Sequence, residues 1–269
     1  MKKNSKNGLV VFIILVLVVI SFGAFKIYRG NFSSRNYNGG RTITYSDYDK
    51  NIAKAYKKAY IAALYIEGTI EAYNSDYDQA WLLSTIEGLK NDSNNKALAI
   101  FIDSPGGAVY QADEVYLALE DYKTSGKPIY VYQGSMAASG GYYISCSGNK
   151  IYANRNTLTG CIGVIFGTSY DMTGLFEKMG IKSQTIHSGK NKNMFSFNEP
   201  VTEEQKQIMQ DISDECYEQF VSIVAKSRSL SYAQAEKLSD GRLYTAKQAL
   251  ENGLIDAIDS WDNMLSDLE

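Results

Sequence analysis

A serine hydroxyl set among small residues is the first group in this chain equipped for chemistry. Ser139 lies in Gly134-Ser-Met-Ala-Ala-Ser139-Gly-Gly-Tyr-Tyr-Ile-Ser-Cys146, between two alanines and two glycines. A strand that ends in such a turn and restarts as a helix leaves the hydroxyl uncovered, with backbone N–H groups beside it. An acyl-transfer nucleophile needs both. The same composition also suits a helix packing face, so the partners must decide. A serine nucleophile needs a proton acceptor. His187, Lys190 and Lys192 are the candidates, in Ile186-His-Ser-Gly-Lys-Asn-Lys-Asn-Met194. His187 is the one histidine in the chain, so histidine metal clusters are excluded and any Ser–His device must use it. A lysine serves where desolvation disfavours its ammonium form. Spacing alone does not choose among the three.

A second glycine turn, Ser104-Pro-Gly-Gly107, precedes the first. Each turn follows an apolar run and opens a helical pattern. Loops after the C-terminal ends of parallel strands gather on one side of a sheet, where sites form. Free N–H groups and the positive end of the helix dipole point outward there. Neither G-x-x-x-x-G-K-[ST] nor G-x-G-x-x-G occurs, so phosphate cradling has little support. An oxyanion hole drawing one N–H from each turn is the other use.

The elements that would hold these turns alternate. Strands are predicted at residues 62–66, 97–102, 128–132, 150–153, 163–166 and 181–186, and a short strand or turn at 254–258. Helices are predicted at 77–89, 109–122, 175–179, 202–229 and 246–252, with Gly253 as a C-cap. The run at 97–102 is continuously apolar, as a strand buried on both faces requires. This alternation predicts an α/β fold with a largely parallel sheet. On the 202–229 helix, Ile208, Ile212, Cys216, Phe220, Ile223 and Val224 form an apolar stripe for core or subunit contact.

The totals narrow the function classes. A net charge of −3 without a basic stripe speaks against nucleic acid as a partner. The three cysteines, Cys146, Cys161 and Cys216, have no metal-ligand spacing, and their odd number speaks against a disulfide framework. No metal or cofactor is expected. Residues 1–7 form a basic tail. Residues 8–25 carry no charge, and eighteen residues at about 1.5 Å each reach roughly 27 Å, enough for a thin bilayer core. No clean signal-peptidase site follows, so an uncleaved anchor is expected. The positive-inside rule then puts the tail in the cytoplasm and the rest of the chain outside it. Residues 26–59 read as a linker and a short helix, and residues 60–269 as the domain.

Together the motifs resemble bacterial signal peptide peptidases of the SppA type, in their short single-domain form. The resemblance rests on Ile66-Glu-Gly-Thr-Ile70, Ile102-Asp-Ser-Pro-Gly-Gly107, Ser135-Met-Ala-Ala-Ser-Gly-Gly-Tyr-Tyr143, Thr159-Gly-Cys-Ile-Gly-Val164, Ser188-Gly-Lys-Asn-Lys192, and Asp240-Gly-Arg-Leu-Tyr-Thr245 with Gly253-Leu-Ile-Asp256. It covers roughly residues 60 to 259, in the family's order. It implies a ClpP/crotonase-like spiral of β-β-α units and a Ser/Lys dyad that hydrolyses peptide bonds. Ser139 becomes the nucleophile and Lys192 the general base. The N–H groups of Gly106 or Gly107 and of Gly140 become the oxyanion hole. Implied partners are signal-peptide remnants as substrates, the membrane through the anchor, and further copies of the chain, with a lysine reaching a neighbouring serine. The chain departs from the pattern at Cys161, where the family carries a serine that hydrogen-bonds the lysine. A non-catalytic scaffold on the same fold is the alternative, and an acyl-CoA enzyme a more distant one.

Overall fold

The computed structural model describes residues 58–269; the basic tail, the apolar span at 8–25 and nearly all of the expected linker lie outside them. Among the described residues no helix is long and apolar enough to cross a membrane. In chain order the elements are β1 (Tyr60–Glu67), α1 (Gln79–Asn91), β2 (Asn95–Ser104), α2 (Val109–Lys123), β3 (Ile129–Ala138), α3 (Gly140–Ser145), β4 (Lys150–Ala153) and β5 (Leu158–Gly160). There follow α4 (Thr173–Lys178), α5 (Glu203–Ser227), α6 (Tyr232–Lys237), β6 (Leu243–Thr245), α7 (Ala246–Glu251), β7 (Ala257–Ile258) and α8 (Trp261–Leu268).

Five strands form a parallel sheet in the order β1-β2-β3-β4-β7. The apolar run in β2 explains why it lies inside. Leu98, Ile100 and Ile102 pack into the main core with Leu82, Ile86 and Leu119 from α1 and α2. Ala99 faces a second cluster with Tyr132, Tyr152 and Met264. Each buried Leu or Ile contributes about 1.5–3 kcal/mol by leaving water.

β3 changes partner midway. Tyr130–Gln133 pair with β4, while Met136–Ala138 pair with β5, which in turn pairs antiparallel with β6. Gly134 stands at the fork, where a Cβ would come 2.8 Å from the Phe101 ring. Thr157 Oγ1 lies 2.6 Å from Gly134 O and 3.1 Å from Gln133 O, so one hydroxyl serves the carbonyls at the divergence. The small residues after Tyr132 are therefore strand, not turn, up to Ser139.

Two strands read from β-branched runs are absent. Residues 163–166 and 181–186 belong to no sheet, and Ile165 and Ile186 are 89% and 92% exposed. An apolar run makes a strand only where a partner edge takes up its N–H and C=O groups. The long helix forms as expected. Thr202 Oγ1 accepts from Gln205 N at 3.2 Å and Gln205 Oε1 accepts from Thr202 N at 3.1 Å, closing a capping box. Phe220, Val221 and Val224 bury its C-terminal half, while Ile208 and Ile212 are half-buried.

Candidate active site

Ser139 is the N-cap of α3, with φ 51° and ψ −119°. This is strained for a residue with a Cβ and costs on the order of 1–3 kcal/mol. Two bonds hold it: Ser139 N donates to Gly160 O of β5 at 2.8 Å, and Tyr143 N donates to Ser139 O at 2.9 Å. An N-cap serine ordinarily spends its hydroxyl on the helix. Here Oγ makes no capping bond, and the half-buried side chain opens on a cleft.

Cys161 is the neighbour across the strand pair. Ala138 pairs with Gly160, so Ser139 and Cys161 leave β3 and β5 at the same level, and Cys161 also has φ 51°. Its N–H donates to Arg242 O at 2.8 Å. Ser139, Cys161 and Ser229 are the non-glycine residues with positive φ among the described residues, and two of the three stand side by side here.

The second glycine turn closes the other flank. Ser104 Oγ donates to Gly68 O at 2.6 Å and accepts from Gly106 N at 3.1 Å. Ile70 N donates to Gly106 O, and Ala108 N to Ile70 O. Gly106 N–H is thus committed within the turn. Among the described residues, Gly107 N–H and Gly140 N–H have no internal acceptor. The two lie together, since a Cβ on Gly140 would sit 3.3 Å from Gly107 N. A Cβ on Gly106 would come 2.7 Å from Ser139 Cβ, and one on Gly107 only 1.9 Å from Ile70 O. Side chains are excluded at both positions by this close approach.

The cleft at Ser139 has a volume of about 680 Å³. Gly107 and Val109 line one side, Cys161 and Gly163–Ile165 another, and Gln210, Ser213, Asp214 and Tyr217 of α5 a third. Asp240 completes the rim, and its pairing with Arg242 holds its carboxyl below the usual carboxylate range. A narrow recess of about 20 Å³ behind Ser139 is bounded by Val109, Ala112, Tyr143, Val164, Cys216 and Phe220. The α5 wall was not legible beforehand, because nothing in the spacing of that helix distinguishes a cleft-lining face from a solvated one.

The proposed bases stand elsewhere. Lys192 is exposed and is not among the residues lining the cleft. Its loop is tied to the start of α5, where Lys190 pairs with Glu204 and Asn191 Nδ2 donates to Glu204 Oε1 at 3.3 Å. Gln210, the first residue of α5 in the cleft wall, lies six positions further along that helix, so at about 1.5 Å per residue this tether is roughly 9 Å from the wall. His187 is exposed, and its Nδ1 faces Gly189 O at 3.1 Å. The segment carrying them is apolar and uncovered: Phe166, Tyr170, Leu175, Met179, Phe195 and Phe197 are exposed, and α4 buries nothing. No group of three or more metal-ligand side chains occurs among the described residues.

Known proteins resemble this chain in sequence and fold. A protein of Enterococcus faecium named as a putative signal peptide peptidase SppA is 37% identical over 194 residues, covering 72% of this chain and 56% of that one. A putative protease of Synechocystis sp. is 38% identical over 177 residues, covering 65% and 63%. The chain thus spans less than two thirds of the length of either relative. A ClpP1 mutant from Listeria monocytogenes shares the fold, with a TM-score of 0.50 at 19% identity over 75% of this chain and 94% of that one. Residues 121–269, more than half of the chain and including both Ser139 and Lys192, match peptidase family S49, and the chain belongs to that family, among its SppA-type members.

Proposed function

We propose that the chain is a serine peptidase that uses a Ser139/Lys192 dyad. The observation that carries this is the uncommitted Ser139 hydroxyl at a strained helix N-cap, beside the unpaired N–H groups of Gly107 and Gly140. A neutral lysine amine takes the Oγ proton as Oγ attacks the peptide carbonyl. The Gly107 and Gly140 N–H groups receive the oxyanion, the ammonium protonates the leaving amine, and water hydrolyses the acyl-enzyme. Because Lys192 stands outside its own cleft, it acts on the Ser139 of a second copy, and the exposed apolar segment that carries it is the contact surface. The small residues around Ser139 and the narrow recess suit small or apolar side chains, as in remnants of signal peptides. The apolar span at 8–25 holds the domain at the outer face of the cell membrane.

A serine-directed phosphonate tests this on the full-length protein. Labelling at Ser139, with loss of label and of peptide hydrolysis in Ser139→Ala, supports the reading; full hydrolysis by Ser139→Ala overturns it. The placement of Lys192 favours one alternative, a non-catalytic scaffold on the same fold. An oligomer that neither takes the label nor cleaves peptides would establish it.

A further inference from the structure

One buried phenol ties together three parts of the site, and the reaction scheme does not use it. Tyr143 is 4% exposed and lies one turn after Ser139 on α3. Its backbone N–H holds Ser139 O. Its hydroxyl donates to Asp113 Oδ1 on α2 at 2.6 Å and accepts from Gln219 Nε2 on α5 at 2.6 Å. Its ring meets Tyr116 edge-on at 5.5 Å and Phe220 at 4.9 Å. α2 starts directly after the Gly106–Gly107 turn, and α5 supplies Gln210, Ser213, Asp214 and Tyr217 to the cleft.

We propose that Tyr143 is a positioning residue whose hydroxyl fixes the α5 wall of the cleft at a set distance from Ser139 and the Gly107 turn, and so governs the binding of peptides long enough to reach that wall. The N-terminal half of α5 needs such a tie. Over that half Ile208 and Ile212 are only half-buried and Gln205 alone is buried, while Tyr217 packs at the edge of the core and the fully buried apolar contacts of α5 begin at Phe220. Gln219 stands next to that boundary. The Tyr143–Gln219 bond is therefore a fixed point close to the projecting half, and it reaches the nucleophile's own helix. The phenol works as a neutral group, which burial and the neighbouring Asp113 both favour.

The proposal rests on the assignment of Ser139 as nucleophile, and the test separates the two. Two substrates are compared on the full-length protein: a small acyl ester, which reaches only Ser139 and the oxyanion donors, and a peptide that fills the cleft. Gln219→Ala cuts the tie from an exposed position that the core does not depend on, and Tyr143→Phe cuts it from inside. Each lowers the peptide-to-ester ratio of kcat/KM about fivefold through the peptide KM, as the loss of roughly one net hydrogen bond predicts. The double variant is no worse than Tyr143→Phe alone, because that variant already removes the bond to Gln219. A purely structural role would lower the melting temperature and leave the ratio unchanged, which overturns the proposal, as would additive effects in the double variant. Failure of the unaltered protein to take a serine-directed label at Ser139 would instead remove the assignment on which it rests.

Discussion

Ser139 and Cys161 carry the same left-handed φ at the ends of adjacent strands, so the backbone presents a hydroxyl and a thiol to one cleft. A thiol is a weaker hydrogen-bond partner than a hydroxyl. If a lysine amine must be held beside Ser139, Cys161 holds it loosely. Cys161→Ser should therefore raise kcat/KM for a peptide by about threefold to tenfold, the worth of roughly one improved hydrogen bond. A loss of activity measured under the same conditions would show that the thiol has a task of its own. Glu67, at the end of β1, behaves differently. Although Glu67 is exposed, partial desolvation at the sheet end raises its pKa above the ordinary value, and Asp103 and Asp76 raise it further. The folded state thus favours the protonated form. This contribution is complete below the unfolded value and is lost as pH rises through the folded one. Glu67→Gln should accordingly raise the melting temperature at about pH 7, and the gain should fade by about pH 4. An equal gain at both pH values would contradict the assignment. At this scale the sequence displayed Ser139 as the candidate, because a serine between two alanines and two glycines is a pattern. It did not display Tyr143 as a tie, since Asp113 and Gln219 reach it from distant parts of the chain.

Elements were legible where local chemistry alone decides them. The helix opened by Thr202, with its Glu203–Glu204 start, ends within two residues of expectation because its caps are written in its own residues. Strands were less legible, because a strand exists only with a neighbour. The Ile165 and Ile186 segments look like strands and find no edge, whereas Gly134–Ala138 looks like a turn and pairs as strand because small residues admit β5 and Phe101. The C-terminal helix α8 was missed. Its signal was present: Ser260 Oγ accepts from Asn263 N at 3.2 Å, and Trp261, Met264, Leu265 and Leu268 recur at helical spacing. This one helix covers the second face of the sheet, with Trp261 against Phe101 and Tyr132 at 5.8 Å each and against Tyr65 at 6.1 Å. Trp261→Ala should cost about 3 kcal/mol in denaturant unfolding. A cost within error of zero would mean that α8 is dispensable.

At the scale of the whole molecule, the proposed dyad makes a cleft without its base and an uncovered apolar segment bearing a lysine complementary, and head-to-tail association of identical copies would supply both at once. Mixing inactive Ser139→Ala with inactive Lys192→Ala subunits should restore roughly a quarter of wild-type activity if assembly is random. A mixture with no activity, from subunits shown to co-assemble, would place the dyad within one chain. The fork in β3 bears on time as well as geometry. Ser139 is framed by β5, and β5 is itself framed by β6 and by Arg242 O, which accepts from Cys161 N. Arg242 follows Ser139 by 103 positions. At about 5–20 residues per second, a chain in synthesis carries that serine for on the order of 5–20 s before its frame exists. If Ser139 is the nucleophile, its hydroxyl is an ordinary serine throughout that interval, and the growing chain would not attack itself or its neighbours.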